Sequence, residues 1–337
     1  MNPSKKALYA MIAFLTIQCA SKRNLQVTDK KHNKTKVHFT SEGKKLVGDV
    51  YLPPSYDPSK KYPALVIVGS WTTVKEQMAG LYAKEFAKKG FITLAFDFRN
   101  YGESEGNPRF YESPESKIQD IRNAAKYLTT SNNVQTENIG GFGVCAGAGY
   151  MLEAANTTKD IKTLVTAASW LHDGEAVKLF YGGERGVDSK IQAAQKAKRH
   201  YSSTGDVTYI PTISTKDKSA AMYGPYDYYL NPKRGAISQW SADKFAVMSW
   251  EDWLKFNPMP SAKKLQAPVL MIHSDGAVLP KYTKKYFEDI AIDDKKLIWM
   301  DSSKPSPFEQ FDFYDSPDKV NFVVKNCSEW FKKHLQN

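Results

Sequence analysis

The sequence has few cysteines and few histidines, and these shortages exclude several classes of protein. Three cysteines and six histidines occur in 337 residues, too few for a disulfide framework. The sequence has no H-E-x-x-H segment, no close cysteine–histidine cluster and no Walker lysine motif, and the glycine-rich segment around Cys145 lacks the spacing of a dinucleotide loop. We therefore expect no metal, no organic cofactor and no disulfide between Cys145 and Cys327.

Blocks of positive charge are also missing, although the chain is basic overall. The formal net charge is +11, but the lysines are scattered along helix-like stretches. No arginine-rich block or nucleic-acid-binding motif is present. The sequence therefore predicts a solvated basic surface, with some attraction to anionic envelope components, and no nucleic-acid partner.

Long apolar runs are absent except for a short one near the start. Two lysines precede an apolar run over residues 7–17, which is too short to span a bilayer and has the length of a signal-peptide core. The segment that ends at Cys19 resembles the lipobox of bacterial lipoproteins, although Gln18 stands where a small residue is usual. We expect residues 1–19 to be a signal peptide with lipobox, and a lipid on Cys19 to anchor the protein to a membrane of the bacterial cell envelope. An uncleaved anchor, or a secretory peptide giving a secreted or periplasmic protein, is the alternative.

After a polar tether over residues 20–36, strand-like and helix-like patterns alternate. Continuous apolar runs of the buried-strand type occur at residues 64–68 and 91–96, with helical spacing between them. This alternation predicts an α/β domain over residues 37–337 with a mostly parallel, doubly wound sheet. From about residue 170 to 264 aromatic residues are dense and no buried strand is evident, so we expect an inserted, partly helical lid.

A five-residue turn separates one strand-like run from a helix-like run: Gly143-Val144-Cys145-Ala146-Gly147. Small residues on both sides allow a strained turn that lifts the central side chain above the sheet, as in a nucleophile elbow. The backbone N–H of Ala146, at the helix start, can both lower the thiol pKa and donate to an oxyanion. The turn therefore predicts a reactive Cys145, and the alternative is a buried structural cysteine.

Further motifs, in the same chain order, resemble those of a known family. They are Val74-Lys75-Glu76-Gln77, Ala95-Phe96-Asp97, the run from Gly102 to Arg109, Asp120-Ile121-Arg122 and Phe311-Asp312-Phe313-Tyr314-Asp315. With the elbow, they make the chain similar to the dienelactone hydrolase-like branch of the α/β-hydrolases. The resemblance implies an α/β-hydrolase fold with a cysteine or serine nucleophile, an acid after the strand that follows the lid, and a histidine before the final helix.

Carried over residue by residue, the resemblance places the nucleophile on Cys145 and the acid on Asp275. The two oxyanion donors would be the backbone N–H groups of Ala146 and of the loop around Trp71. The family histidine stands directly before the last of the quoted motifs, and this chain has Gln310 there. Glutamine cannot accept a proton near neutral pH, so that position supplies no general base.

Three other side chains are candidates for the missing base. His172 follows a predicted strand and neighbours Asp173, which could orient it, so it is the preferred substitute. His273 ends the strand that precedes the predicted acid, and Glu309 adjoins Gln310. For both histidines the alternative is a structural or pocket-lining role.

A thiol depends less on a general base than a hydroxyl does, because about a few per cent of it is already ionised at neutral pH. We therefore expect an exported hydrolase that acts on a small-molecule ester, thioester or lactone through Cys145. Two alternatives stay open. One is a catalytically impaired pseudo-hydrolase that serves as a binding protein, and the other is an acyltransferase in which a bound acceptor, instead of water, takes the acyl group.

Overall fold

The computed structural model describes residues 23–336. The predicted signal peptide and Cys19 lie outside the described residues. Within them the strands, in chain order, are β1 (Lys34–Ser41), β2 (Lys44–Tyr51), β3 (Tyr62–Val68), β4 (Ile92–Phe96), β5 (Val134–Val144), β6 (Thr163–Ala167), β7 (Tyr209–Ile210), β8 (Ile213–Ser214), β9 (Met222–Tyr223), β10 (Phe245–Ala246), β11 (Val269–Ser274) and β12 (Lys295–Met300).

Helices connect most of these strands. They are α1 (Met78–Ala87), α2 (Pro114–Leu128), α3 (Ala146–Thr157), α4 (Gly174–Phe180), α5 (Gly183–Thr204), α6 (Asp227–Leu230), α7 (Ser249–Lys255), α8 (Pro280–Asp289), α9 (Asp312–Asp315) and α10 (Pro317–Leu335), with a 3₁₀ helix at Met259–Lys264. Among residues 23–336, none of the helices combines the length and the apolar character that crossing a membrane requires.

One large sheet holds the fold together, with the strand order β1-β2-β4-β3-β5-β6-β11-β12. The pairs β1/β2 and β2/β4 are antiparallel, and the other neighbouring strands are parallel. Consecutive residues of β5 face opposite helices, because Gly140 lies against Phe331 of α10 and Gly141 lies against Met151 of α3. Helices therefore cover both faces, and the predicted mostly parallel, doubly wound sheet is confirmed.

The burial of each strand explains its sequence pattern. Every residue of β4 is buried, as is every residue of β3 except Tyr62, so both read as continuous apolar runs. The edge strand β1 alternates between buried and exposed positions. Glu42 and Gly43, which join β1 to β2, have φ values of 45° and 76°, as a two-residue hairpin turn requires.

The chain between β6 and β11 forms the aromatic-rich lid, with helices α4 to α7 and two short strand pairs, β7/β10 and β8/β9. Two polar contacts join this lid to the loop after β3 and to α9. Trp240 Nε1 donates to the carbonyl oxygen of Thr72 at 3.0 Å, and Arg234 Nη2 donates to Asp315 Oδ1 at 2.5 Å. The lid therefore lies over the carboxyl ends of the parallel strands, where ligand sites of such sheets are found.

A buried lysine, Lys75, connects residues from three of the motifs quoted in the sequence analysis. Lys75 Nζ donates to Glu76 Oε1 at 2.6 Å, to Asp97 Oδ2 at 2.8 Å and to Glu103 Oε2 at 2.6 Å. These three carboxylates lie close enough together to hold a cation, and the Lys75 ammonium supplies that charge. A Cβ at Gly102 would lie 2.3 Å from Asp97 Cγ, so only glycine fits there. The cluster ties the loop after β3 to the loop after β4.

Candidate active site

Cys145 occupies a strained turn between β5 and α3, with φ 57° and ψ −123°. A non-glycine residue keeps such a conformation only where its surroundings hold it. A Cβ at Gly143 would lie 2.5 Å from the carbonyl oxygen of Gly147, and a Cβ at Gly147 would lie 2.2 Å from that of Gly69. Both flanking glycines are therefore required by close backbone contacts, and the turn has the geometry of a nucleophile elbow.

The contact between Gly147 and Gly69 brings the loop after β3 against the elbow. As a result, the backbone N–H groups of Ala146 and Trp71 both lie beside the Cys145 sulfur and act to lower the pKa of its thiol. Two backbone donors that converge beside a nucleophilic atom form the arrangement that stabilises an oxyanion. The structure thus brings together the two donors and the thiol that the sequence analysis singled out.

Two hydroxyl groups complete the surroundings of the sulfur. Ser70 and Tyr314 both lie close to the Cys145 sulfur and act to lower the pKa of its thiol, and their oxygens lie 3.1 Å apart. The sequence analysis assigned no role to Tyr314, although it belongs to the quoted motif that ends at Asp315. Its place in that motif was therefore a usable signal.

Burial has the larger effect on the Cys145 thiol. The residue is 4% exposed, and desolvation raises its pKa above the ordinary value despite the hydrogen bonds that lower it. The expectation that the helix start would acidify this thiol is therefore wrong in its net direction. Cys145 is mostly protonated near neutral pH, and its reactivity should increase as the pH rises.

The oxyanion loop is held by a buried ion pair that the sequence analysis did not identify. Thr72, with φ 60°, donates its backbone N–H to Glu112 Oε2 at 3.1 Å. The same carboxylate accepts from Lys117 Nζ at 2.7 Å, from the Tyr101 hydroxyl at 3.0 Å and, through Oε1, from the Tyr150 hydroxyl at 2.7 Å. Glu112 thereby fixes the residue next to the Trp71 donor.

Gln310 lines the same cavity as Cys145, but its amide group is engaged in hydrogen bonds to the backbone of two loops. Its Oε1 accepts from the backbone N–H of Val278 at 2.9 Å, and its Nε2 donates to the carbonyl oxygen of Ala168 at 2.8 Å. A longer contact of 3.4 Å reaches the Tyr314 hydroxyl. The amide therefore joins the loops that follow β6 and β11, at the position where the resemblance places a histidine.

Asp275, the predicted acid, lies away from these groups. Its side chain is 66% exposed, and its carboxylate accepts from Trp299 Nε1 at 3.0 Å and Lys284 Nζ at 3.3 Å. The hydrogen bonds of Gln310 go elsewhere, to Val278, Ala168 and Tyr314. The prediction that Asp275 orients the side chain at position 310 is therefore wrong, because the carboxylate turns outward to surface partners after β11 ends.

His172, the predicted substitute base, has no free nitrogen. Its Nδ1 accepts from Trp170 Nε1 at 2.9 Å, and its Nε2 contacts the carbonyl oxygen of Trp253 at 3.1 Å. Complete burial lowers its pKa to about 4. Asp173 does not orient the ring, because its carboxylate caps α4. The prediction of a base at His172 is corrected to a structural histidine under the lid.

The two remaining candidate bases are also engaged. His273 contacts the carbonyl oxygens of Ser274 at 2.9 Å and Ser169 at 3.3 Å, and burial lowers its pKa to about 4. Glu309 accepts from Ser274 Oγ and pairs with Lys319 Nζ at 2.6 Å. Burial acts to raise the Glu309 pKa, but these hydrogen bonds outweigh it and the net shift is downward.

A cavity of about 480 Å³ extends from Cys145 beneath the lid. About half of its lining residues are aromatic, among them Trp71, Trp170, Tyr181, Tyr229, Trp253 and Phe311. Lys190 and Lys218 are the lining residues of positive charge, and no carboxylate lines the cavity in the described part of the chain. Such a pocket suits a ligand with a large apolar portion.

Comparison with known proteins identifies relatives over most of the chain. The family model described as X-Pro dipeptidyl-peptidase (S15 family) matches residues 42–301. The Pseudomonas aeruginosa protein PA2218 is 29% identical over 325 residues, which cover 89% of this chain and 80% of that protein. Its crystal structure superposes with a TM-score of 0.78 and 27% identity, covering 90% of this chain and 94% of that one. The solved structure of the α/β hydrolase GrgF from Penicillium sp. superposes with a TM-score of 0.73 and 18% identity, covering 90% of this chain and 99% of that one, so the expected α/β-hydrolase fold is confirmed.

Two fungal relatives have names that state an activity. Thiohydrolase aneE of Aspergillus aculeatus is 35% identical over 128 residues, which cover 38% of this chain and 39% of that protein. Polyketide transferase claH of Penicillium crustosum is 25% identical over 271 residues, which cover 77% of this chain and 86% of that protein.

Proposed function

The chain belongs to the X-Pro dipeptidyl-peptidase (S15) family of α/β-hydrolase fold, and from this premise we propose that it transfers acyl groups through a covalent intermediate on Cys145. Two relatives are named a thiohydrolase and a polyketide transferase, and these names support hydrolase or acyltransferase chemistry. Within the superfamily, the quoted motifs support a dienelactone hydrolase-like enzyme that acts on an ester, thioester or lactone.

The observation that carries the proposal is the convergence at one sulfur atom. Cys145 lines an aromatic cavity, and the backbone N–H groups of Ala146 and Trp71 both reach its sulfur. A buried structural cysteine needs neither a strained φ of 57° nor two backbone donors. The local strain is therefore an argument for function.

The surroundings of the sulfur favour substrates with good leaving groups. Attack of the Cys145 thiolate on a carbonyl carbon gives an oxyanion beside Ala146 and Trp71. The attack itself forms the carbon–sulfur bond. Collapse of the oxyanion then restores the carbonyl group and breaks the bond to the leaving group, which departs with the electron pair. An amine or alkoxide leaving group needs a proton from a general acid, and none of the described candidates is free to give one. A thiolate, whose conjugate acid has a pKa of about 8.5, needs none, so thioesters are the preferred substrates.

The second half of the reaction favours a good acceptor over water. Hydrolysis of the acyl-enzyme requires a base to activate water, and Gln310, His172 and His273 are all held in structural hydrogen bonds. A bound amine, thiol or alcohol that is a better nucleophile than water would resolve the acyl-enzyme more readily. This observation supports acyltransferase activity as the second candidate function.

The proposal is tested by following release of p-nitrophenol from p-nitrophenyl butyrate and of thiol from the corresponding pantetheine thioester. We expect Cys145→Ala to reduce both rates to the buffer background, on the order of a thousand-fold or more. Cys327→Ala is the matched control, because Cys327 is equally buried but lies on α10 outside the cavity. Hydroxylamine or a primary alcohol should raise turnover if transfer outpaces hydrolysis.

Two outcomes would contradict the proposal. Retention of most activity in Cys145→Ala would move the chemistry to another residue. A wild-type protein that binds an acyl compound but releases no leaving group at any pH up to about 9.5 would instead indicate a pseudo-hydrolase acting as a binding protein, because that range exceeds the usual thiol pKa of about 8.5.

For the location of the protein, we propose a lipid anchor on Cys19 in a bacterial envelope. The support is the order of two lysines, an apolar run at residues 7–17 and Cys19. Expressed in a bacterium that processes lipoproteins, the full chain should partition into detergent and gain the mass of a lipid. Cys19→Ala should remain unmodified. Equal partitioning of both proteins, without lipid on the wild type, would contradict the anchor and leave a secreted or periplasmic protein as the alternative.

A further inference from the structure

Lys190 is a cation in the cavity wall that has no acidic partner. It lies on α5 and lines the cavity that contains Cys145. Its ammonium lies 4.7 Å from the ring centre of Trp250, and desolvation alone lowers its pKa, with no contribution from a carboxylate. No ion pair to Lys190 occurs among residues 23–336. Its side chain therefore carries a charge that is only partly compensated by an aromatic face.

The nearest acidic residues on the facing helix are already engaged. On α7, Glu251 pairs with Lys198 at 2.9 Å and with Lys255 at 2.7 Å. Asp252 also pairs with Lys198, at 2.7 Å. These three contacts pair the carboxylates of α7 with other lysines, and neither carboxylate forms an ion pair with Lys190.

A second cation strengthens this charge asymmetry. Lys218, an exposed residue of the lid, also lines the cavity and forms no ion pair in the described part of the chain. Every other lining residue is uncharged, and about half of them are aromatic. A half-buried ammonium in a wall without carboxylates attracts an anion, since pairing would offset its desolvation.

We propose that the cavity recognises substrates that carry an anionic group away from the reacting carbonyl, with Lys190 as the anion-binding residue. The inference rests on the proposed acyl transfer at Cys145. Two sources share this chemistry. The anion is either a carboxylate at the end of the acyl chain or a phosphate on the thiol leaving group.

The test compares substrates that differ only in charge. For the acyl side, p-nitrophenyl monoesters of adipic, suberic and sebacic acid are paired with esters of hexanoic, octanoic and decanoic acid. For the leaving group, octanoyl-phosphopantetheine is paired with octanoyl-pantetheine. Each pair is measured with the wild type, Lys190→Met, the charge-retaining Lys190→Arg, and Lys196→Met, an exposed lysine on the same helix.

We expect Lys190→Met to lower kcat/KM for the anionic member of one series by roughly ten-fold or more, as loss of a charged hydrogen bond does. The neutral member should change by less than about two-fold, since it has no charge to pair. Lys190→Arg should restore most of the loss, and Lys196→Met should change neither substrate. The series that responds identifies the source of the anion. Equal losses for both members, or no loss in either series, would overturn the proposal.

A binding measurement separates this inference from the proposed function. In Cys145→Ala, the p-nitroanilides of the same acids and the amide analogues of the two pantetheine thioesters bind without reaction. The nitroanilides are followed by quenching of the cavity tryptophans, and the pantetheine amides by calorimetry. Tighter binding of an anionic ligand that disappears in Cys145→Ala/Lys190→Met would support the anion site even if the wild type shows no turnover. Equal affinity for charged and neutral ligands in both series would refute it whether or not Cys145 is catalytic.

Discussion

The two halves of the candidate site differ in how they are built. The nucleophile half consists of Cys145 in its strained turn and the donor loop around Trp71, brought together by contacts between glycine backbones. The base half consists of Gln310, which braces two loops, and Asp275, which faces solvent. The first half has the geometry of a nucleophile elbow beside two backbone donors, whereas the polar side chains of the second half are engaged in structural or surface contacts.

This difference shows which parts of a catalytic site a thiol requires. Backbone donors and a strained turn stabilise the oxyanion whatever the protonation state of nearby side chains. A histidine that acts as the general base of a catalytic triad, in contrast, must lie within hydrogen-bonding distance of both the nucleophile and a carboxylate. Cysteine chemistry tolerates loss of the second arrangement better than serine chemistry does, so acylation and deacylation should respond differently to substitutions in the two halves.

The largest effect should come from Glu112→Gln, which weakens the nucleophile half. The change leaves Lys117 as an uncompensated buried charge, so the free energy of unfolding should fall by about 3–5 kcal/mol. Because Glu112 also holds the N–H of Thr72, acylation should slow by roughly a hundred-fold. Stopped-flow release of p-nitrophenol and urea unfolding measure the two effects.

Two further variants interpret this result. Glu103→Gln removes a partly exposed carboxylate from the Lys75 cluster and should change acylation little. The double variant Glu112→Gln/Lys117→Met should regain stability, because it has no unpaired buried charge. Its acylation rate should stay low, because the carboxylate that holds the backbone N–H of Thr72 is still missing. An unchanged acylation rate in folded Glu112→Gln would contradict the positioning role.

A moderate effect is expected from Tyr314→Phe on the ionisation of Cys145. Burial raises the pKa of the thiol, and the Tyr314 hydroxyl lowers it, so its removal should raise the pKa further. Iodoacetamide labelling against pH should give a wild-type midpoint above about 8.5, the ordinary thiol value. In the variant the rate at neutral pH should fall about ten-fold. Tyr228→Phe is the control, and a wild-type midpoint below the ordinary value would contradict the account.

A smaller effect is expected from Gln310→His. The imidazole would replace the amide in the cavity, but Asp275 is bonded to Trp299 and Lys284 and cannot orient it from there. Deacylation should therefore accelerate by less than about ten-fold, below the hundred-fold or more of a positioned base. A gain above a hundred-fold that Asp275→Asn abolishes would show that the base half can be rebuilt.

The smallest effect on activity is expected from His172→Gln, since His172 is structural. Its pKa of about 4 in the folded protein lies below the unfolded value of about 6.5. The unfolded chain therefore takes up a proton at His172 more readily than the folded protein does. The contribution of the neutral imidazole to the free energy of unfolding is present above pH 6.5 and is lost as the pH falls through 4, by on the order of 3 kcal/mol. The free energy of unfolding of His172→Gln should fall less over this pH range than that of His38→Gln, because His38→Gln keeps His172. The dependence of the acylation rate on pH should be the same in His172→Gln as in the wild type. If the acylation rate of His172→Gln no longer changed with pH where the wild-type rate does, His172 would be the base after all.

Local sequence patterns predicted the backbone of this protein well. The continuous apolar runs of β3 and β4 and the glycine-flanked turn at Cys145 are determined by neighbours along the chain or by burial on both faces. The resemblance placed the second oxyanion donor in the loop around Trp71, which follows the central strand β3. These features needed no knowledge of distant side chains.

Side-chain partners from distant segments could not be predicted in the same way. Ser70 and Tyr314 meet across 244 positions of sequence, and nothing local to Glu112 indicates its contact with Thr72. Asp275 follows a strand as the resemblance implies, but the direction of a side chain after a strand ends depends on its contacts. His172 adjoins Asp173, yet that carboxylate caps α4 instead.

The central claim is that acylation is faster than deacylation, because the nucleophile half is complete and the base half supplies no general base. Intact-mass spectrometry during reaction with the pantetheine thioester tests it most directly. We predict that one acyl group per chain accumulates on Cys145 within the burst of thiol release, persists through slow turnover, and is absent from Cys145→Ala. Rapid turnover with no detectable acyl-enzyme, or acylation at another residue, would contradict the account.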